Sequence, residues 1–151
     1  NVTFVLVGDG LERPAIQALV NSKGLQNKIL LPGFQSRPLE WIAAFDAFVS
    51  SSPWESFGLA ILEAMSLGVP VIASDSSGPR ELLVAGESGL LVPVGDARAL
   101  TKAILRLSKD RDLGRRMSSF GRDAARSRFG IRRLVEQTSA VYGVRPVLLN
   151  G

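Results

Sequence analysis

Two hydrophobic periods alternate along the first 95 residues, and only one of them continues afterwards. Val2-Thr3-Phe4-Val5-Leu6-Val7 is apolar at almost every position and rich in β-branched residues, which predicts a strand buried on both faces. It ends at Gly8-Asp9-Gly10. Leu11 to Ser22 then places Leu11, Ala15, Ile16, Leu19 and Val20 on one helical stripe, and Gly24 supplies a stop. Lys28 to Leu31 reads as a short strand, Pro32-Gly33 as a turn, Pro38 to Phe45 as a short helix, and Ala47 to Ser50 as the next strand. The polar loop Ser51 to Phe57 leads into a helix from Gly58 to Ser66, closed by Gly68. Val69 to Ala73 is again strand-like, Asp75 to Pro79 a loop, Arg80 to Val84 a short helix, and Leu90 to Val92 a last strand.

Strands that alternate with helices in this way imply right-handed crossovers and a parallel sheet with helices on both faces. The fold class expected is α/β, a Rossmann-like doubly wound parallel sheet. From Asp96, a good N-cap, the period is helical throughout: Ala97 to Ser108, Asp110 to Phe129 and Arg132 to Tyr142. One domain is expected over residues 1–151, with residues 97–145 as its helical tail.

Ligands of open parallel sheets sit beyond the carboxyl ends of the strands. Three loops leave strands at that edge: Gly8-Asp9-Gly10, Ser51 to Gly58 and Asp75 to Pro79. Helix starts after such loops offer free N–H groups to an anion. Gly8-x-Gly10 lacks the third glycine of a dinucleotide fingerprint and serves equally well as a tight turn. Gly58 either permits close backbone approach to a ligand or is a simple N-cap. Glu55 precedes that helix, and Glu63 lies about five residues inside it, roughly 7.5 Å along the axis. Two acceptors at that spacing can reach different hydroxyls of one polar ligand. The structural alternatives are a helix-dipole partner for Glu55 and a solvated charge for Glu63, although Leu59, Ala60, Ile61, Leu62, Ala64 and Met65 leave that helix almost no polar face.

Composition narrows the chemistry. The chain has 151 residues, 46% of them apolar, with no Cys and no His. That removes Cys or His nucleophile and base pairs, most zinc sites and any disulfide framework. Carboxylates, hydroxyls, Lys, Arg and backbone remain. The net charge of +4 is unevenly spread: 12 Lys and Arg against 4 Asp and Glu between Thr101 and Arg145, so +8 there and −4 elsewhere. Arg115, Arg116, Arg122, Arg126, Arg128, Arg132 and Arg133 carry most of it, on solvated helix faces or on a surface for an anionic partner. No apolar run approaches the roughly 18 residues of a membrane span, and the first residues do not form a secretory leader. A chain that begins directly on a strand is expected to be part of a longer one.

Taken in order, Val5-Leu6-Val7-Gly8-Asp9-Gly10, Leu31-Pro32-Gly33-Phe34, Glu55-Ser56-Phe57-Gly58, Glu63-Ala64-Met65, Gly68-Val69-Pro70-Val71-Ile72-Ala73, Gly78-Pro79-Arg80-Glu81, Gly89-Leu90-Leu91-Val92-Pro93 and Val141-Tyr142 resemble a known family. It is the C-terminal, donor-binding half of GT-B fold retaining glycosyltransferases, family 4 in particular. The resemblance covers nearly the whole chain and implies a nucleotide-sugar donor domain. It implies that Glu63 accepts hydrogen bonds from the donor ribose, and that Glu55 lies against the transferred sugar and stabilises its cationic transition state. The backbone at Ser56, Phe57, Gly58 and Leu59 would face the diphosphate or the sugar. Gly8 and Gly10 would line the same cleft, and Phe34-Gln35 would border the base.

No metal or other cofactor is implied. The resemblance also implies a glycan or lipid-linked acceptor held by an N-terminal domain outside this sequence, a cytoplasmic location at the inner face of the membrane with peripheral contact to it, and no nucleic-acid partner. The isolated chain is expected to be inactive and to self-associate. The family's diphosphate-gripping Arg and Lys lie upstream of the residues here, and Arg37 and Arg80 do not match their positions. An epimerase of the related sugar-nucleotide type would be expected to use a His. The other alternative is a non-catalytic module that binds partners or anionic membrane through its basic tail, and salt-sensitive liposome binding without nucleotide would favour it.

Overall fold

The computed structural model describes residues 2–144. Arg145, the last position of the expected tail, lies outside them. The chain divides into two compact units, residues 1–44 and 45–151.

In the first unit, β1 (Phe4–Val7) pairs in parallel with β2 (Ile29–Gly33), and α1 (Arg13–Ser22) forms the crossover between them. Pro32 and Gly33, expected to form a turn, complete β2 instead. The register shifts between Val5 and Val7, so Val7 stands opposite Gly33, and the Gly8 N–H donates to the Gly33 carbonyl at 3.0 Å. The helix starts at Arg13 rather than at Leu11, with Pro14 in its first turn, where a missing N–H costs nothing. Then comes α2 (Pro38–Ala43), which places Ile42 in the interior. The expectation that β1 is buried on both faces is not met. Phe4 and Leu6 are about two-fifths exposed (40% and 41%), because alternate residues of a strand point to opposite faces and only the Val5/Val7 face is covered.

The second unit is built on a three-stranded parallel ladder, β3 (Phe48–Ser50), β4 (Val71–Ser74) and β5 (Gly89–Val92), in that order. Strand pairing therefore runs in two separate parallel ladders. In the second, β4 is central, and all four of its residues are buried: the apolar Val71, Ile72 and Ala73, as expected of a strand covered on both faces, and the polar Ser74 with them. The crossovers carry α3 (Leu59–Ser66) and α4 (Ser77–Leu82). The latter begins three residues before the expected Arg80, so Ser77, Gly78 and Pro79 are helical, not loop.

At the end of α3, Gly68 has φ +72, Val69 N–H reaches the Ala64 carbonyl at 2.9 Å and Gly68 N–H reaches Met65 at 2.9 Å. This pair of hydrogen bonds across a left-handed residue is a Schellman stop. Three helices complete the unit: α5 (Ala97–Lys109), α6 (Arg111–Phe129) and α7 (Ile131–Tyr142). Asp96 caps α5 through the Arg98 and Ala99 amides, and Asp110 caps α6 through Leu113. Ala103 and Leu107 of α5 and Leu113 and Met117 of α6 close over Ile72, Leu90 and Val92. Helices α5 and α6 thus share one core with the ladder. Helix α7 buries none of its residues.

Candidate functional site

The candidate residues fall into both units, and each set is described within its own. In the first, the carboxyl ends of β1 and β2 carry Gly8-Asp9-Gly10 and Phe34-Gln35 side by side. Gly8 takes φ +133, a conformation open to glycine and strained for other residues. The Gly10 N–H donates to the Asp9 side chain at 2.9 Å, and Arg13 ties the loop down by bonding Asp9 (3.3 Å) and the Leu31 carbonyl (3.0 Å). Phe34 is exposed. Gln35 has local work: its side-chain nitrogen donates to the Pro32 carbonyl at 3.1 Å and its oxygen accepts from the Trp41 indole at 3.2 Å.

In the second unit, Ser51 to Gly58 leaves β3 at the carboxyl edge of the ladder. Gly58 is buried, with φ +98 and ψ +57, and N-caps α3 without any side-chain cap. A left-handed residue here turns the chain sharply into the helix, and the first-turn amides are left without a capping side chain. Leu59 and Ser56 are exposed, while Phe57 sets its ring edge-on against Phe129, centroids 5.9 Å apart. The Glu55 main chain is held from the next crossover. Gly78 N–H donates to its carbonyl at 3.0 Å and the Ser77 hydroxyl at 3.3 Å. Helix α4, which contributes these donors, is itself tied to the residues before it by Arg80, whose Nε and Nη2 reach the two Asp75 carboxylate oxygens at 2.6 and 3.0 Å. That bidentate bond holds the Asp75 carboxyl below its ordinary pKa of 3.8 and raises that of Arg80.

Glu63 lies in the second turn of α3, as the sequence placed it. Its half-buried carboxylate makes no hydrogen bond or ion pair among the described residues. It lines a cavity of about 460 Å³, open to solvent, between α3 and α6. Leu59, Leu62 and Ser66 form the wall on its side, and Arg122, Arg126 and Phe129 the opposite one. Glu55 is not among the lining residues. The sequence reading missed the α6 wall, although Arg122, Ala125, Arg126 and Phe129 recur at the helical spacing that marks one face. Among the described residues, no group of three or more His, Cys, Asp and Glu is placed to hold a metal ion. None of the described helices is long and apolar enough to cross a membrane.

Known proteins agree with this architecture. The family described as "Glycosyl transferases group 1" matches residues 1–124. N-acetyl-alpha-D-glucosaminyl L-malate synthase of Bacillus anthracis is 35% identical over 139 residues, which are 92% of this chain and 36% of that protein. The lipopolysaccharide core biosynthesis glycosyltransferase LpsE of Rhizobium meliloti is 35% identical over 124 residues, 82% of this chain and 36% of that protein. The chain therefore spans little more than a third of the length of these relatives.

Among solved structures, Anabaena Alr3699/HepE in complex with UDP superposes with a TM-score of 0.88 at 30% identity, over 94% of this chain and 41% of that one. The C-terminal domain of a group 1 glycosyl transferase (LpcC) from Francisella tularensis superposes with a TM-score of 0.75 at 26% identity, over 85% and 70%. With its α/β crossovers, glycine-capped α3 and match along four fifths of its length, the chain belongs to group 1 of the glycosyl transferases and has the fold of a GT-B C-terminal domain.

Proposed function

We propose that this chain is the donor domain of a retaining, family 4 glycosyltransferase that moves a sugar from a nucleoside diphosphate to a glycan or lipid-linked acceptor. The observation that carries this reading is the arrangement at α3. A helix start without a side-chain cap stands between Glu55, whose carbonyl is pinned by Ser77 and Gly78, and Glu63, whose carboxylate has no partner among the described residues and lies at the edge of a cavity. Transfer of a sugar needs acceptors for hydroxyls and positive ends for a departing diphosphate, and these are the two things α3 supplies. Glu63 takes the ribose hydroxyls, and the amides from Phe57 to Leu59 face the diphosphate. Glu55 lies against the sugar and stabilises the positive charge that develops as its bond to phosphate breaks. Departure and attack on one face of the sugar retain its configuration.

The structures of Anabaena Alr3699/HepE hold UDP and UDP-glucose, which supports a uridine donor as the first to try. The acceptor is held by the remainder of a longer protein, so this chain alone binds donor weakly and does not turn over. We place that protein in the cytoplasm at the inner membrane face, working without a divalent metal. The exposed apolar side chains of α7, Ile131, Leu134, Val141 and Tyr142, give the isolated chain a surface for self-association.

Ligand-observed NMR of the chain with UDP, GDP, ADP and their sugars tests the reading. Binding of one nucleotide series, weakened about tenfold or more by Glu63→Ala, supports it. Failure of every nucleotide to bind at millimolar concentration would refute it.

A further inference from the structure

Helix α6 directs three arginines toward α3 and α4 of its own unit, and two of them have structural duties. The Arg122 Nη2 donates to the Leu67 carbonyl at 3.2 Å, at the C-cap of α3, and its guanidinium occupies the space beside Gly68. Arg128 donates to the Glu81 carbonyl at 2.6 Å and to the Leu82 carbonyl at 3.5 Å, in the last turn of α4. Both satisfy carbonyls that a helix end leaves without partners, where a cation is favoured. Arg126 has no such task. It makes no hydrogen bond or ion pair among the described residues, yet it lines the cavity that holds Glu63.

The two cations nearest to hand in the sequence are already spent. Arg80 is engaged by Asp75, and Arg37 by Glu40 at 2.6 Å. Arg126 lines the same cavity as Glu63. Helices α3 and α6 run antiparallel, since Met65 lies beside Gly121, Gly68 beside Arg122, and the ring of Phe57 beside that of Phe129. Arg126 is therefore one turn nearer than Arg122 to the glycine-capped start of α3. Glu63 and Arg126 share the cavity from opposite walls without forming an ion pair. A carboxylate there wants hydroxyl donors and a guanidinium wants anionic oxygens, so one ligand that carries both satisfies the pair. Phe129, Leu59 and Leu62 add apolar surface, and about 460 Å³ is within the usual range of small-molecule sites.

We propose that Arg126 is a further donor-binding residue, which pairs with the phosphate oxygens of a nucleoside diphosphate whose ribose is held by Glu63. This rests on the reading of Glu63 given above. It places a cation for the diphosphate on α6 of the donor domain itself, opposite the amides of α3.

Isothermal titration of the chain with uridine and with UDP, with guanosine and GDP in parallel, separates the two ideas. The wild-type chain is expected to prefer the diphosphate over the bare nucleoside. Arg126→Ala should lower the affinity for the diphosphate about tenfold and leave that for the nucleoside unchanged, with Arg126→Lys in between. Arg122→Ala should lower the melting temperature and keep the wild-type preference. If Arg126→Ala retains the full preference for the diphosphate, the inference fails while the reading of Glu63 stands. Nucleoside binding that Glu63→Ala does not weaken would defeat the reading of Glu63 instead. No binding by the wild-type chain overturns both.

Discussion

Gly78 donates its N–H to the Glu55 carbonyl at 3.0 Å, and a Cβ at position 78 would lie 2.7 Å from that same oxygen and 2.6 Å from the carbonyl oxygen of Phe57. The contact joins two crossovers of the ladder and fixes the main chain just before α3. Only a residue without a side chain lets the two segments come this close.

Gly78→Ala is therefore expected to push the Glu55–Phe57 segment away, because the atoms it meets are backbone and cannot swing aside. Overpacking of this kind costs about 1–3 kcal/mol. Urea denaturation measures the loss, and amide chemical shifts of residues 55 to 58 report the displacement. An unchanged midpoint with unchanged shifts would show that the contact is looser than the geometry says.

Gly58→Ala tests a different feature of the same loop. The residue sits at φ +98, and an added methyl would also stand 3.1 Å from Ile61 and 3.3 Å from Leu82. Strain of about 1–2 kcal/mol is expected from the backbone alone. Thermal unfolding should shift downward, and nucleotide binding should weaken as the start of α3 is re-aimed. Wild-type stability in this variant would argue that the chain can relax into another turn.

Asp75 and Arg80 give an acid dependence whose sign follows from the depressed carboxyl. A group with a folded pKa below its unfolded one adds stability above the unfolded value and loses it as pH falls through the folded value. The contribution of the pair should be intact at neutral pH and fade below the ordinary 3.8 of Asp. Asp75→Asn removes it at neutral pH, so the stability difference between wild type and variant should shrink on acidification. A difference that stays constant from neutral pH to about pH 2 would contradict this.

Met117 is 1% exposed and meets Ile72 of β4 in one cluster with Leu107 and Leu113. Met117→Ala should cost about 2–5 kcal/mol, although Met117 does not line the cavity that holds Glu63. The whole second unit should then melt earlier in a single transition, as monitored by circular dichroism. Separate melting of the helical tail would show that α5 and α6 are an independent element.

Much of this was legible in the order of residues. The alternation of strand and helix, the Asp96 cap, the glycine that opens α3 and the position of Glu63 in its second turn all depend on neighbours within four or five residues. Local sterics and helical period decide such features, so sequence specifies them directly. For the same reason the family motifs from Gly8 to Pro93 are enough to point to the fold.

Other features join segments that are distant along the chain, and only the folded packing decides them. Gly78 grips Glu55 across 23 positions, Arg122 reaches Leu67 across 55 and Arg128 reaches Leu82 across 46. That Arg126 lines the cavity without a partner among the described residues, while Arg122 and Arg128 are engaged, depends on the antiparallel packing of α3 on α6. The exposed Phe4 and Leu6 make the same point: an apolar run predicts a capacity for burial, whereas the elements that cover a face determine whether it is used.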